Sequence, residues 1–175
     1  MKLVDEMRRL LQLEGPPLVI ELYRQILNRP PDPAGFTEHL GSLAQSSKTD
    51  LLRTFLDSEE CKYLLVSPSY SPSYADYGES RPRVIEMLRQ MLGLEGEVFI
   101  TRLYWGILER LPDEAGYAAH LGDLRSGKPK LDVLYFFLKS PEAMIKFTER
   151  FQENSRQPDS EGVLDRLLTP WWKLG

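Results

Sequence analysis

Leu22-Tyr23-Arg24-Gln25-Ile26-Leu27-Asn28-Arg29-Pro30-Pro31-Asp32-Pro33-Ala34-Gly35 is the stretch that decides the fold. It returns 81 residues later as Leu103-Tyr104-Trp105-Gly106-Ile107-Leu108-Glu109-Arg110-Leu111-Pro112-Asp113-Glu114-Ala115-Gly116. A fixed-period self-match of this kind is the signature of a repeat architecture. Within each copy the apolar residues fall at helical spacing, Leu22, Tyr23, Ile26 and Leu27 forming one stripe. The helix must then stop. The residue before each proline is pushed out of the α region, so Asn28–Pro33 reads as a turn. Asp32 is placed to cap the next helix, with Pro33 at its first position. Asp113 and Glu114 repeat the signal, Glu114 favouring the positive end of the helix dipole.

Working outward, the register persists. His39-Leu40-Gly41 matches His120-Leu121-Gly122, and Leu13-Glu14-Gly15 matches Leu94-Glu95-Gly96. Farther downstream the offset becomes 82, so the second copy carries one inserted residue. There Phe55-Leu56 matches Phe137-Leu138, Ser58 matches Ser140 and Glu60 matches Glu142. The first helix carries Leu3, Val4, Met7, Leu10 and Leu11 in one copy and Val84, Ile85, Leu88, Met91 and Leu92 in the other. Gly15 and Gly96 are expected to end it in a left-handed turn. The third helix is expected to bury Phe36, Leu40 and Leu43, or Tyr117, Leu121 and Leu124. Gly35 and Gly116 in its first turn leave room for the preceding helix or its tyrosine. A fourth helix holds Leu51, Leu52, Phe55 and Leu56, or Val133, Leu134, Phe137 and Leu138. Ser58 and Ser140 cap a fifth.

No strand-like alternation is sustained. The expected class is all-α: two tandem repeats of a small bundle of about five helices each, packed on one another. Repeat 1 spans residues 1–66 and repeat 2 residues 82–151. Residues 67–81 form an extended Pro/Ser/Tyr-rich linker, and residues 152–175 a polar tail with a short C-terminal helix and the pair Trp171-Trp172.

Composition narrows the function classes. With 22 basic and 26 acidic residues in 175, the net charge is -4, which argues against a general nucleic-acid binder. No apolar run reaches the roughly 20 residues of a membrane span. Asp5, Glu6, Arg8 and Arg9 interrupt the N-terminus, so no N-terminal signal peptide is visible. A single cysteine, Cys61, excludes an internal disulfide and a multi-cysteine metal site. Its place early in a helix favours a lowered thiol pKa. Its near counterpart Ala143 favours a small apolar filler instead.

Candidate site residues are few. His39 and His120 are the only histidines and occupy equivalent positions. A metal or acid–base pair is one reading. Packing against a core aromatic is the other, since no second ligand lies at helical spacing. Arg29 with Asp32, and Arg110 with Asp113, read as turn-stabilising pairs or as hydrogen-bonding groups for an anion or sugar. Tyr104, like Tyr23, lies on the apolar stripe. Trp105, Trp171 and Trp172 are not duplicated, so the shared fold does not require them. Aromatic rings of this kind anchor partner proteins or stack on sugars.

The repeated string Leu22-Tyr23-Arg24, Leu27, Arg29, Pro31-Asp32, Gly35, Leu40, Leu43, Phe55-Leu56 and Ser58-Glu59 resembles the signature of the domain of unknown function 4214 family. The second copy resembles it at Leu103-Tyr104, Leu108, Arg110, Pro112-Asp113, Gly116, Leu121, Leu124, Phe137-Leu138 and Ser140-Pro141-Glu142. A more distant similarity is to the helical domain of phycobilisome linker polypeptides. The resemblance implies an accessory module of bacterial surface, exported or cell-envelope-glycan proteins, with no catalytic residue to carry over. The chain departs from the family at His39 and His120, where tryptophan is common, and at Trp105, where Arg24 of copy one keeps the usual arginine.

The expectation is a non-enzymatic helical protein-interaction or adaptor module, cytoplasmic or associated with the cell envelope. Its partner is another protein, possibly a second copy of itself. The alternative is a carbohydrate-binding module recognising an envelope polysaccharide. In either case Trp105, Tyr104, Trp171, Trp172, Arg110, Asp113, His39 and His120 are the candidate binding residues. No cofactor, metal ion or nucleic acid is expected.

Overall fold

A computed structural model describes residues 2–71 and 81–149. The described chain is all-helical, in two tandem sets. The first set is α1 (Leu3–Gln12), α2 (Gly15–Ile26), α3 (Pro33–Leu43), α4 (Lys48–Asp57) and α5 (Glu59–Val66). The second is α6 (Val84–Leu92), α7 (Gly96–Leu103) with a π-helical turn (Tyr104–Leu108), α8 (Glu114–Arg125), α9 (Lys130–Leu138) and α10 (Pro141–Thr148). The C-terminal tail, with Trp171 and Trp172, lies outside the described residues, as does most of the linker.

Local chemistry sets the boundaries. Asp32 accepts a bond from the Gly35 amide at 2.9 Å, and Asp113 from Gly116 at 2.8 Å. Ser58 and Ser140 each accept one from the amide three residues on, at 3.1 Å. These caps satisfy amides that a helix start leaves without a partner. The expected glycine stop is placed differently. α1 ends at Gln12 with Leu13 extended, and Gly15 opens α2 at a φ of +53°, as Gly96 opens α7 at +47°. The glycines serve the entry to the second helix, where a side chain would be strained. The extra residue of copy two lies before α9, where Gly127 takes a φ of +91°.

The stripes of α1, α2, α4 and their counterparts are buried as expected, except that Leu92 at the end of α6 is only partly covered, and they join one continuous core across both repeats. α3 and α8 are a correction. Phe36, Leu40, Leu43, Tyr117 and Leu124 only lean on that core, and Leu121 alone is buried. These helices lie along the outside of each bundle, α3 against α2 and α4, and α8 against α7, with their outer faces in water.

The packing of the first helices decides the architecture. α1 packs most extensively against α10 of the other repeat, and α6 against α5. The repeats have thus exchanged their leading helices, and α1 and α6 also touch each other. Equivalent residues make the exchanged contacts. Arg8 of α1 donates from Nε to the Lys146 carbonyl at 2.8 Å, and Arg89 of α6 donates to the Leu64 carbonyl. Lys2 pairs with Glu109 at 3.6 Å, and Arg83, its counterpart, bonds Asn28, the counterpart of Glu109. Asp57 and Lys139, themselves counterparts, form an ion pair with each other. These relations are those of an approximate two-fold axis passing by residues 57 and 139.

Candidate functional site

In each repeat the signature residues converge on one clasp. Tyr23 and Tyr104 are 3 % and 4 % exposed. A Cβ at Gly35 or Gly116 would overlap the hydroxyl of that tyrosine, so glycine is required for the close approach. The guanidinium of Arg29 lies over the Tyr23 ring, and that of Arg110 over Tyr104, each 4.9 Å from the centroid. Arg29 reaches Asp32 at 3.4 Å and grips Glu60 with two bonds of 2.6 and 2.9 Å. Arg110 reaches Asp113 at 3.3 Å and grips Glu142 at 2.6 and 3.1 Å. The clasp therefore ties the turn after the second helix to the start of the fifth.

Of the residues singled out from sequence, Tyr104, Arg110, Asp113 and His120 come together. Glu60 and Glu142 complete the clasp and had not been singled out as site residues. Their signal was present in the sequence, as an acid repeated at the same offset as the caps. The electrostatics follow from this geometry. Arg110 holds the Glu142 carboxyl below its usual range, against a smaller opposing effect of burial. The Gly116 amide holds Asp113 low. Burial, then the charge of Asp113, raises the Tyr104 hydroxyl. The forked donors of Arg110 are taken by Glu142, and its remaining edge by Asp113 and the Leu111 carbonyl at 3.4 Å. Chemically this is a closed, hydrogen-bonded turn.

The histidines do not meet. His39 packs on Tyr23 and Phe55 at ring separations of 5.7 and 4.7 Å. His120 packs on Tyr104 and Phe137 at 6.1 and 4.9 Å, with Phe136 at 5.2 Å. Burial lowers the pKa of His120. Among the described residues no group of three His, Cys, Asp or Glu side chains could hold a metal ion. Trp105 stands apart from the clasp, partly buried, with the Lys2 ammonium 4.1 Å from its ring centroid. It thus helps seat α1 on repeat 2.

Cys61 is fully buried, and desolvation pushes its thiol up to about 12, overturning the lowered pKa suggested by its helical position. Its exact counterpart is Ala143, also fully buried. Cys61→Ala is expected to change stability by about 1 kcal/mol or less. The native thiol should resist a disulfide reagent at pH 8 until the chain is unfolded. Rapid native labelling would show that burial does not protect it.

The sequence profile of the family described as Domain of unknown function (DUF4214) matches residues 15–65 and 89–147. The chain belongs to this family. The first match begins after α1, which lies wholly outside both matches, and the second begins within α6. No curated protein and no solved structure matches the chain. Among the described residues no helix is long and apolar enough to cross a membrane.

Proposed function

We propose that this DUF4214 tandem is a non-enzymatic helical module that binds another protein, as an adaptor or assembly component of a bacterial surface or envelope system. One observation carries the reading. Tyr63 on α5 and Ile145 on α10, counterparts in the two repeats, are 64 % and 63 % exposed. Val66 adds a further exposed apolar side chain on α5. The repeat places large apolar groups in water twice at one position, which the core does not need. The polar signature residues, by contrast, are engaged within the clasps. Both histidines pack against aromatic rings, and the thiol is buried and protonated.

A second reading, glycan recognition, draws on Phe136, 60 % exposed beside His120. An open ring next to a polar group is the arrangement that sugars stack on. A pull-down from bacterial lysate and envelope fractions separates the two. Under the first reading a discrete protein is captured, and Tyr63→Asp with Ile145→Asp loses it while Phe136→Ala keeps it. Retention on isolated envelope glycan, lost with Phe136→Ala, would favour the second. Capture indifferent to all three changes would remove both surfaces.

A further inference from the structure

The chain leaves α5 by turning back on itself. The Tyr70 amide donates to the Ser67 carbonyl at 3.4 Å, and the Ser69 amide to the Ser67 hydroxyl at 3.2 Å. The turn lays Tyr70 on α6. The Arg89 guanidinium lies over its ring, 4.6 Å from the centroid, and its hydroxyl donates to Glu86 at 3.5 Å. Tyr70 thereby packs on the core and helps hold α6, the helix that repeat 1 has borrowed.

The exit from α10 has the same direction. Glu149, the counterpart of Ser67, takes φ -58° and ψ 144°, close to the -63° and 125° of Ser67. Beside it opens a cavity of about 330 Å³. Arg8 and Leu11 of α1, Lys48 and Thr49 of α4, and Phe147 and Glu149 at the end of α10 line it. Arg8 is the counterpart of Arg89 and donates to the Lys146 carbonyl, as Arg89 does to that of Leu64. Arg8, Leu11 and Phe147 are buried. Thr49 is smaller than its counterpart Leu131, which packs on the core.

We propose that Phe151 seats in this cavity and latches the chain beyond α10 back onto α1. Position selects the occupant. Phe151 stands two residues past Glu149, a reach of at most about 7 Å, and Glu149 itself lines the cavity. Tyr70 stands three residues past Ser67, so Phe151 is the aromatic residue nearest the equivalent place. The chemistry of the two places differs in a matched way. Tyr70 has a hydroxyl, and Glu86 receives it. Phe151 has none, and the counterpart of Glu86 is Asp5, one methylene shorter. A phenyl ring gains by leaving water for Leu11 and Phe147, and a guanidinium beside it is favourable. The latch holds α1 on repeat 2 as Tyr70 holds α6 on repeat 1. It stands independently of any partner protein.

The test is limited trypsin digestion of the full chain, since the Arg150–Phe151 and Arg156–Gln157 bonds give one site at the latch and one beyond it. A synthetic peptide of residues 143–160 supplies the intrinsic rates. The expected result is that the first bond, relative to the second, is cut about tenfold more slowly in the protein than in the peptide, because the latch must open before cleavage. Thr49→Phe places a resident ring in the cavity and should remove most of that protection. Phe151→Ala should lower the melting temperature of the wild type by about 2–4 °C. In the Thr49→Phe background it should cost much less, the non-additivity of groups that share one site. Protection lost on deleting residues 161–175, with Phe151 intact, would assign the cavity to the Trp171-Trp172 segment. Protection that rises with protein concentration would assign it to another copy's tail. Either result overturns the proposal, as does cutting at the peptide rate in the wild type, or a protection and a melting cost that Thr49→Phe leaves unchanged.

Discussion

Gly35→Val is expected to lower the stability of the whole molecule by about 1–3 kcal/mol, the cost of overpacking a fitted contact. Valine brings a Cβ into the space of the Tyr23 hydroxyl, with the Asp32 carboxylate 3.1 Å from the same point. Neither neighbour can withdraw freely. Tyr23 is buried against Phe55 at a ring separation of 5.0 Å, and Asp32 is fixed by its cap bond. At roughly 2–4 °C per kcal/mol for a chain of this size, the melting temperature should fall by about 2–12 °C. Because the core is continuous across both repeats, the loss should appear in a single transition and not as early melting of repeat 1 alone. Gly35→Ala in a Tyr23→Phe background should be tolerated better than in wild type, since the overlapping oxygen is gone. Equal costs in the two backgrounds would show that the hydroxyl is not the obstacle.

The second large effect is expected at Arg8. Arg8→Met keeps much of the buried aliphatic volume but removes the donors to Glu109, Glu149 and the Lys146 carbonyl. Removing one partner of a buried charge cluster costs about 3–5 kcal/mol. Here the side chains of Glu109 and Glu149 are 22 % and 41 % exposed, so water takes up part of the debt. A loss of about 2 kcal/mol follows after that screening, measurable by urea unfolding. The same clamp has a pH signature. Burial alone would raise the Glu109 carboxyl, but the Arg8 bond and charge outweigh it and leave it below the ordinary 4.5. A group depressed in the folded state stabilises above its unfolded pKa and loses that contribution as pH falls through the folded value. Wild type should therefore lose the clamp's share of stability below about pH 4.5, and Arg8→Met should show a shallower acid slope. Parallel acid profiles for the two proteins would place the acid sensitivity elsewhere.

By itself the sequence determined the repeat, the helical class and most helix starts. These are local properties. The spacing of Leu22, Tyr23, Ile26 and Leu27 requires only that neighbours one turn apart share a face. Asp32 and Ser58 cap amides three residues away. Gly35 was also legible, because a glycine repeated at Gly116 in a first helical turn has few other reasons to be there. The candidate cluster was legible in part, as Tyr104, Arg110, Asp113 and His120 do meet. Glu60 and Glu142 were visible as repeated acids, but their grip on arginines some 31 and 32 residues away was not.

The tertiary structure decided what no local pattern encodes. The stripe of α1 can be buried equally well against its own repeat or against the other, since both offer nearly the same surface. Only the packed molecule shows the exchange, the buried Arg8 clamp and the meeting of Asp57 with Lys139 on the axis. The partial exposure of α3 and α8 has the same origin, because a stripe of apolar residues says that a helix has a dry side, not how much of it a neighbour covers.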